Sequence, residues 1–198
     1  MTKEQGLEAS LTAEPPATAA APADEDLMLQ YRSGQMAAFE MLYRRHKDPL
    51  YRYLLRGCAH PESAAEMFQD VWAGLIKARA SYEPRAKFST WLYRMAHNRL
   101  VDHLRLAPRA PLPLEEELIP AAAEHERPEA RALAGESAQR LRRALAALPA
   151  EQREAFLLHE EAGLTLEEIA EVSGVGRETV KSRLRYGLAK LREALADD

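Results

Sequence analysis

Apolar side chains recur three and four residues apart along most of the chain, which is the spacing of helices that bury one face. The clearest such stripe consists of Phe68, Val71, Trp72, Leu75 and Ile76. Glu66, Gln69 and Asp70 lie on the opposite, polar face of the same predicted helix. A later helix, at about 89–106, has a comparable buried side made of Leu92, Met95, Ala96, Leu100 and Leu104.

Two further helices precede these. The pattern predicts a short helix capped by Asp24 and ending near Ser33, followed by a helix that continues past Pro49 and ends at Gly57. Together the four helices indicate one small helical unit.

A second helical unit begins again with Leu141, Leu145 and Leu148 and is most regular between Thr165 and Leu184. Thr165 is suited to cap a helix, Ala170 permits a close helix crossing, and Gly174 favours a tight turn. This order predicts a helix-turn-helix, although a plain helical hairpin would show the same apolar pattern.

The remaining segments have no apolar period. Residues 1–23 are rich in Ala, Pro, Thr and Glu, and residues 108–132 are rich in Pro and Glu, so we expect a disordered tail and a flexible linker. Only four Phe and two Trp are present in 198 residues, which suits modest helical cores. The sequence therefore predicts an all-α fold with two small helical domains, 24–107 and 133–198, joined by that linker.

The net charge of −4 conceals two basic segments. Between residues 176 and 192 a single acid, Glu178, is outnumbered by the bases Arg177, Lys181, Arg183, Arg185, Lys190 and Arg192. The preceding helix of the predicted helix-turn-helix carries three Glu and no base between residues 163 and 175. A basic second helix is the arrangement that reading DNA requires.

The other basic segment also contains aromatic rings. Between residues 85 and 109 the single acid Asp102 is outnumbered by Arg85, Lys87, Arg94, Arg99, Arg105 and Arg109. Phe88, Trp91 and Tyr93 are interleaved with them. A protein that binds single-stranded nucleic acid needs basic side chains to contact the phosphates and aromatic rings to stack on the nucleobases. A solvated basic face above rings that fill the core explains the segment equally well.

Several other functions are not supported. Cys58 is the only cysteine, and with His60 as its nearest candidate partner it leaves a metal site two ligands short, so no metal or cofactor is predicted. No apolar run of about 18 residues occurs, so we expect a cytoplasmic protein without membrane insertion. The chain has no phosphate-cradling glycine loop and no nucleophile spaced with a base, so we do not expect an enzyme.

The order of these motifs resembles the extracytoplasmic-function (ECF) class of RNA polymerase sigma factors, in the sigma-70 family. The run Ala65-Glu66-Met67-Phe68-Gln69-Asp70-Val71-Trp72 and the run from Phe88 to Asn98 are similar to sigma region 2. The stretch from Leu148 to Leu195 is similar to sigma region 4. The resemblance implies a stress-response factor that binds core RNA polymerase, directs initiation at promoter DNA, and has an anti-sigma factor as a further partner.

The same resemblance implies three sets of site residues. Glu66, Gln69 and Asp70 correspond to the surface that docks on the polymerase. Lys87, Phe88, Trp91, Tyr93, Arg94 and Asn98, with the loop 82–87, correspond to the residues that melt and hold the minus-10 element. Thr179, Lys181, Ser182, Arg183, Arg185 and Tyr186 correspond to the helix that reads the minus-35 element. Helical geometry adds Glu178 to the groove-facing side and places Arg177 beside the DNA backbone.

An ordinary helix-turn-helix regulator is the alternative. It would explain residues 165–184 but would leave the acidic and basic helices of residues 65–106 without a purpose. Transcription from core polymerase is the property that separates the two hypotheses.

Overall fold

The computed structural model of the chain describes residues 21–58, 60–106 and 128–196, with side chains from Glu136 onward in the last range. Eight helices form these ranges: α1 (Asp24–Arg32), α2 (Met36–Cys58), α3 (Pro61–Ala78), α4 (Phe88–Leu106), α5 (Pro128–Ala147), α6 (Ala150–Glu160), α7 (Leu166–Ser173) and α8 (Arg177–Ala196). One 3-10 turn, Arg79–Ser81, follows α3, and no strand occurs in the described ranges. The all-α prediction is confirmed.

Some helix ends differ from the predicted ones. Asp24 is the first residue of α1, and Ala23 occupies the cap position. α5 begins at Pro128, inside the stretch assigned to the linker, and proline suits a first helical turn because its missing N–H would have no partner there. α2 runs through Pro49 without interruption. The rest of the predicted linker, 108–127, and nearly all of the predicted tail lie outside the described residues.

The first half of the chain, α1 to α4, surrounds one apolar core. Its most deeply buried members include Leu27, Leu42, Leu54, Leu75, Phe88 and Leu92. α2 and α4 approach closely, because a Cβ built on Gly57 would lie 2.6 Å from Leu100 Cδ2. Glycine therefore permits this helix crossing.

Two predicted core positions are wrong. Ile76 is 47% exposed and Leu104 is 37% exposed, because each lies at an edge of its stripe beyond the width that the neighbouring helices cover. Met67, which the stripe omitted, is buried one helical turn before Val71.

Polar contacts from α1 fix the start of α4 and the loop before it. Asp24 accepts a hydrogen bond from Arg45 at 2.6 Å and pairs with His46 at 2.7 Å, which fixes α1 to α2. The neighbouring Glu25 carboxylate accepts the Phe88 backbone N–H at 2.5 Å, and Arg32 donates to the Tyr82 carbonyl at 2.8 Å. The loop 82–87 is thus held at both ends.

In the second half, α5, α6 and α7 pack around α8. Leu145, Leu157, Leu158, Ile169, Val180 and Leu191 form its core. A Cβ on Gly187 would lie 3.4 Å from the Gln152 carbonyl oxygen, so the backbones of α6 and α8 approach closely at this glycine. This packing buries one face of α8 and leaves the opposite face exposed to solvent.

Candidate polymerase and nucleic-acid interfaces

The cap and the turn predicted for the helix-turn-helix are both present. Thr165 Oγ1 accepts the Glu168 N–H at 3.3 Å, and the Glu168 carboxylate accepts the Thr165 N–H at 2.8 Å, which makes a reciprocal capping box at the start of α7. Gly174 ends that helix in the left-handed region with φ +67°, a conformation that glycine adopts without strain. The capping box fixes the start of α7, and Gly174 allows the sharp turn from α7 into α8.

α8 presents its predicted reading surface on one side. Val180, Leu184 and Leu191 are buried, whereas Lys181, Arg185 and Tyr186 are exposed and Ser182 and Arg183 are half-buried.

Several of these side chains interact with one another. The Arg185 guanidinium lies 4.8 Å from the centre of the Tyr186 ring, and Arg177 at the helix start bonds to Glu167 and Glu178. Lys181 lies 3.7 Å from the Glu178 carboxylate. These partners of Arg177, Lys181 and Arg185 all belong to α7 or to α8 itself.

The structure corrects part of the predicted surface on α4. Phe88 is 0% exposed and Tyr93 is 1% exposed, and Tyr93 packs edge-on against Tyr53 with ring centres 5.4 Å apart. These two rings fill the core, as the alternative explanation of the segment held, and neither offers a face to a base in this structure. They lie on the same side of α4 as Leu92 and Leu100, which sets their burial.

The other predicted residues of this segment do share an outer face. Lys87 directly precedes α4, and Trp91, Arg94 and Asn98 follow at helical spacing; all are exposed except Trp91, which is half-buried. Tyr82, which lies in the loop, packs on Trp91 with ring centres 4.9 Å apart. Sequence reasoning included Tyr82 only as the start of the loop.

A cavity of about 380 Å³ opens between this loop and α4. Its walls include Tyr82, Glu83, Arg85, Thr90, Trp91 and Arg94. The hydroxyls of Tyr82 and Thr90 are buried and have no hydrogen-bond partner among the described residues. Burial and the nearby Glu25 and Asp24 carboxylates raise the pKa of Tyr82 to about 12, so its hydroxyl keeps its proton and remains a donor. The cavity thus combines an aromatic wall with the cationic side chains of Arg85 and Arg94 and the carboxylates of Glu83 and Glu171.

The polar face of α3 is exposed as predicted. Glu66, Gln69 and Asp70 all reach solvent, and Asp70 lies 3.8 Å from Arg99 on α4. The exposed Ile76 is seven residues after Gln69, so it extends this face by an apolar side chain. Sequence reasoning missed Ile76 as a surface residue because its period matched the buried stripe.

Other kinds of site have no basis in the described ranges. The Cys58 thiol is buried, its Sγ donates to the His60 carbonyl at 3.3 Å, and burial raises its pKa. No group of three metal-ligating side chains occurs in those ranges, and no helix within them has an apolar stretch that could span a bilayer.

Comparison with known proteins identifies the family of both halves of the chain. Residues 42–109 match the family model of sigma-70 region 2, and residues 138–191 match that of sigma-70 region 4. ECF RNA polymerase sigma factor SigM of Mycobacterium tuberculosis is 31% identical over 87% of this chain and 84% of its own length. RNA polymerase sigma factor CarQ of Myxococcus xanthus is 31% identical over 86% of this chain and 96% of its own.

A solved structure shows the same fold. The sigma factor RpoE of Bartonella quintana, determined in complex with the anti-sigma factor NepR, superposes with a TM-score of 0.64 at 22% identity, covering 81% of this chain and 98% of that one. The helices α1 to α8 therefore have the arrangement of a known sigma factor.

The chain belongs to the ECF RNA polymerase sigma factors of the sigma-70 family. Sigma factors bind core RNA polymerase and promoter DNA and direct promoter-specific transcription initiation, so the predicted function is confirmed over that of an ordinary helix-turn-helix regulator. As a sigma factor it is a regulator of transcription.

Proposed function

We propose that three separate surfaces divide the work of initiation, and that the polar face of α3 docks on the polymerase. Glu66, Gln69 and Asp70 are exposed on one side of a helix whose other side is core, so they are available to a partner at no cost in packing. Ile76 adds an apolar contact at the end of the same face. Apolar area within a polar surface is a common feature of protein interfaces.

The cavity between the loop 82–87 and α4 receives an unstacked base of the minus-10 element. Trp91 supplies a half-buried ring for stacking, and the Tyr82 ring packs edge-on against it with ring centres 4.9 Å apart. Arg94 lines the cavity and Lys87 is exposed directly before α4, so both are available to the phosphates of the same strand. This juxtaposition is the observation that carries the proposal.

α8 reads the minus-35 element in the major groove. Glu178, Thr179, Ser182 and Tyr186 lie opposite the buried side, and Arg177, Lys181, Arg183 and Arg185 flank them. Lys181 and Arg183 are assigned to phosphates, which are contacted from the flanks of a helix seated in a groove. Ser182, on the groove side, and Arg185, whose long side chain can swing inward from its flank, are assigned to base edges.

The remaining roles follow from these surfaces. An anti-sigma factor, as seen on the solved sigma factor RpoE, is the expected protein inhibitor of this chain. The chain contributes no catalysis of its own and works in the cytoplasm, where it recruits the polymerase that carries out the chemistry.

Run-off transcription with core RNA polymerase on a promoter library tests the proposal. Added chain should yield transcripts from a defined subset of promoters. A variant with Glu66→Lys and Asp70→Lys should lose core binding in a pull-down while keeping its helical circular dichroism, because exposed substitutions usually change stability by under about 0.5 kcal/mol. Unchanged core binding would show that the α3 surface is wrongly assigned.

A further inference from the structure

The cations of α8 differ in the groups that hold their side chains. Arg177 and Lys181 both pair with the Glu178 carboxylate, at 3.0 and 3.7 Å. Arg185 has no carboxylate within 4 Å in the described ranges. Its guanidinium carbon instead lies over the Tyr186 ring, 4.8 Å from the ring centre. An aromatic side chain therefore takes the place that a glutamate has beside the other two cations.

The contact between Arg185 and Tyr186 has two parts. Besides lying over the ring, the guanidinium donates a hydrogen bond from Nη2 to the Tyr186 hydroxyl at 3.1 Å. Successive helical residues point about 100° apart and do not ordinarily face each other, so the Arg185 side chain bends toward its neighbour to make this contact. Tyr186 lies opposite the buried side of α8 and is 54% exposed. The ring thus draws the guanidinium from the flank toward the groove-facing side.

This contact leaves most of the Arg185 donors available. A guanidinium carries five N–H groups in one plane. A carboxylate partner takes two of them side by side, which is also the pair of donors that a base edge needs. Here Tyr186 takes one hydrogen of Nη2, and the Nε and Nη1 groups bond to no described residue. Tyr186 therefore restrains the side chain without occupying the donors that would read a base.

Restraint of this kind favours binding. A free arginine side chain loses rotamer entropy when it is fixed against a base, and a side chain that is already held loses less. A contact between an exposed arginine and an aromatic ring corresponds to about a two- to fivefold effect on an equilibrium constant. Loss of the ring should therefore be measurable, but smaller than loss of the arginine itself.

We propose that Tyr186 is a positioning residue, which holds the Arg185 guanidinium toward the major groove so that Arg185 reads a guanine of the minus-35 element. The inference rests on the proposed function, which assigns Arg185 to a base edge. Guanine is the base whose major-groove edge offers two acceptors, N7 and O6, to a pair of parallel N–H groups. Tyr186 acts through Arg185 and reads no base of its own.

The test measures binding of holoenzyme, assembled with the full-length chain, to promoters that carry each of the four base pairs at every minus-35 position. Arg185→Ala should reduce the preference for guanine at one position by roughly 5- to 150-fold. Tyr186→Leu should reduce the preference at the same position by about two- to fivefold. Tyr186→Phe keeps the ring and loses the hydroxyl, so its preference should lie between those of Tyr186→Leu and the unmodified chain.

A double variant separates positioning from a general structural effect. Arg185→Ala combined with Tyr186→Leu should lose no more guanine preference than Arg185→Ala alone, because a residue that acts through another has no effect once that residue is gone. A structural defect in α8 would weaken binding to all sequences and leave the ratio between bases unchanged. Lys181→Ala is the matched control for charge, because it removes a cation of α8 that a carboxylate holds. It should weaken binding without changing the guanine preference.

The outcomes separate this inference from the proposed function. If Arg185→Ala removes the guanine preference and Tyr186→Leu leaves it unchanged, Tyr186 does not position Arg185, although Arg185 still reads a base. If Tyr186→Leu changes the preference at a different position and its effect adds to that of Arg185→Ala, Tyr186 reads a base itself and the inference is wrong. A lost preference for a base other than guanine would overturn the guanine assignment. If Arg185→Ala changes no preference, the base-reading role in the proposed function fails as well.

Discussion

The two basic helices of this sigma factor look alike in sequence and differ in their surroundings. On α8, Arg177 and Lys181 pair with glutamates of α7 and of α8 itself, which belong to the same half of the chain. At α4, Lys87 and Arg94 pair with Glu168 and Glu171 from the other half of the chain. Under the proposed roles, the cations of the surface for duplex DNA are thus paired within their own half, whereas those of the surface for single strands are paired with the other half.

The largest expected effect is on promoter opening. Replacing Lys87 and Arg94 by alanine removes two charge-assisted contacts, each typically worth about 1.5–3 kcal/mol, so open complex should fall by roughly 100-fold or more. Permanganate reactivity of minus-10 thymines on a duplex promoter measures this. A template melted in advance should rescue the double variant, since opening is then no longer required.

α8 supplies the contrast for that experiment. A Lys181→Ala variant, which leaves α4 intact, should bind the promoter more weakly whether or not the template is melted. Failure of the melted template to rescue the Lys87 and Arg94 variant would mean that these residues do not act in opening, and the two helices would then no longer differ in role.

The second effect concerns which base pairs α8 reads. Arg185→Ala and Ser182→Ala should each relax the preference at one minus-35 position by about 1–3 kcal/mol, because a bidentate or direct base contact discriminates by that amount. Holoenzyme selection from promoters randomised at minus-35 measures the preference. An unchanged selected sequence in both variants would make α8 a non-specific anchor.

A smaller and more even effect is expected from the flanks of α8. Lys181→Ala and Arg183→Ala should weaken binding to all minus-35 sequences alike and should lower the slope of log K against log salt by about 0.9 for each phosphate that is no longer neutralised. Titration of holoenzyme binding between low and moderate salt gives the slope. A change in sequence preference without a change in slope would exchange the roles assigned to Arg183 and Arg185.

What the sequence predicts depends on how far apart the interacting residues lie. The capping box of Thr165 with Glu168 and the turn at Gly174 involve residues within ten positions of one another, and both are predictable from local pattern. The burial of Phe88 and Tyr93 and the exposure of Ile76 depend on which helices pack on which face. Periodicity therefore misassigned Ile76, and composition left open whether the rings of α4 lie in the core or on the surface. The contacts of Glu154 and Glu161 with α2 and α4 join residues that are more than fifty positions apart. Composition counts these glutamates only as part of the excess of acidic over basic residues and does not show their partners.

The two proposed DNA-binding regions also differ in how their helices begin. α7 is capped from within its own sequence by Thr165, whereas α4 is capped by Glu25 of α1, and α1 is fixed in turn by Asp24. The cap of α4 therefore depends on an anchor more than sixty residues away in sequence. Loss of that anchor should disturb the proposed single-strand surface at the start of α4 and leave α8 unchanged.

Asp24→Asn tests that dependence through pH. Hydrogen bonding to His46 lowers the pKa of Asp24, and Arg45 adds to the effect against the opposing influence of burial. A carboxyl whose pKa is lower in the folded chain stabilises it fully above the ordinary value of 3.8 and loses that contribution as pH falls through the folded value. At pH 7 the free energy of unfolding of the variant, measured by urea titration, should therefore be about 1 kcal/mol lower than that of the unmodified chain. This gap in unfolding free energy should narrow below about pH 4. Asp26→Asn, an exposed carboxyl in the same helical turn, should show a smaller gap at every pH. If the difference in unfolding free energy persists at pH 3, Asp24 acts through packing, and the proposal that its ion pairs fix α1 is wrong.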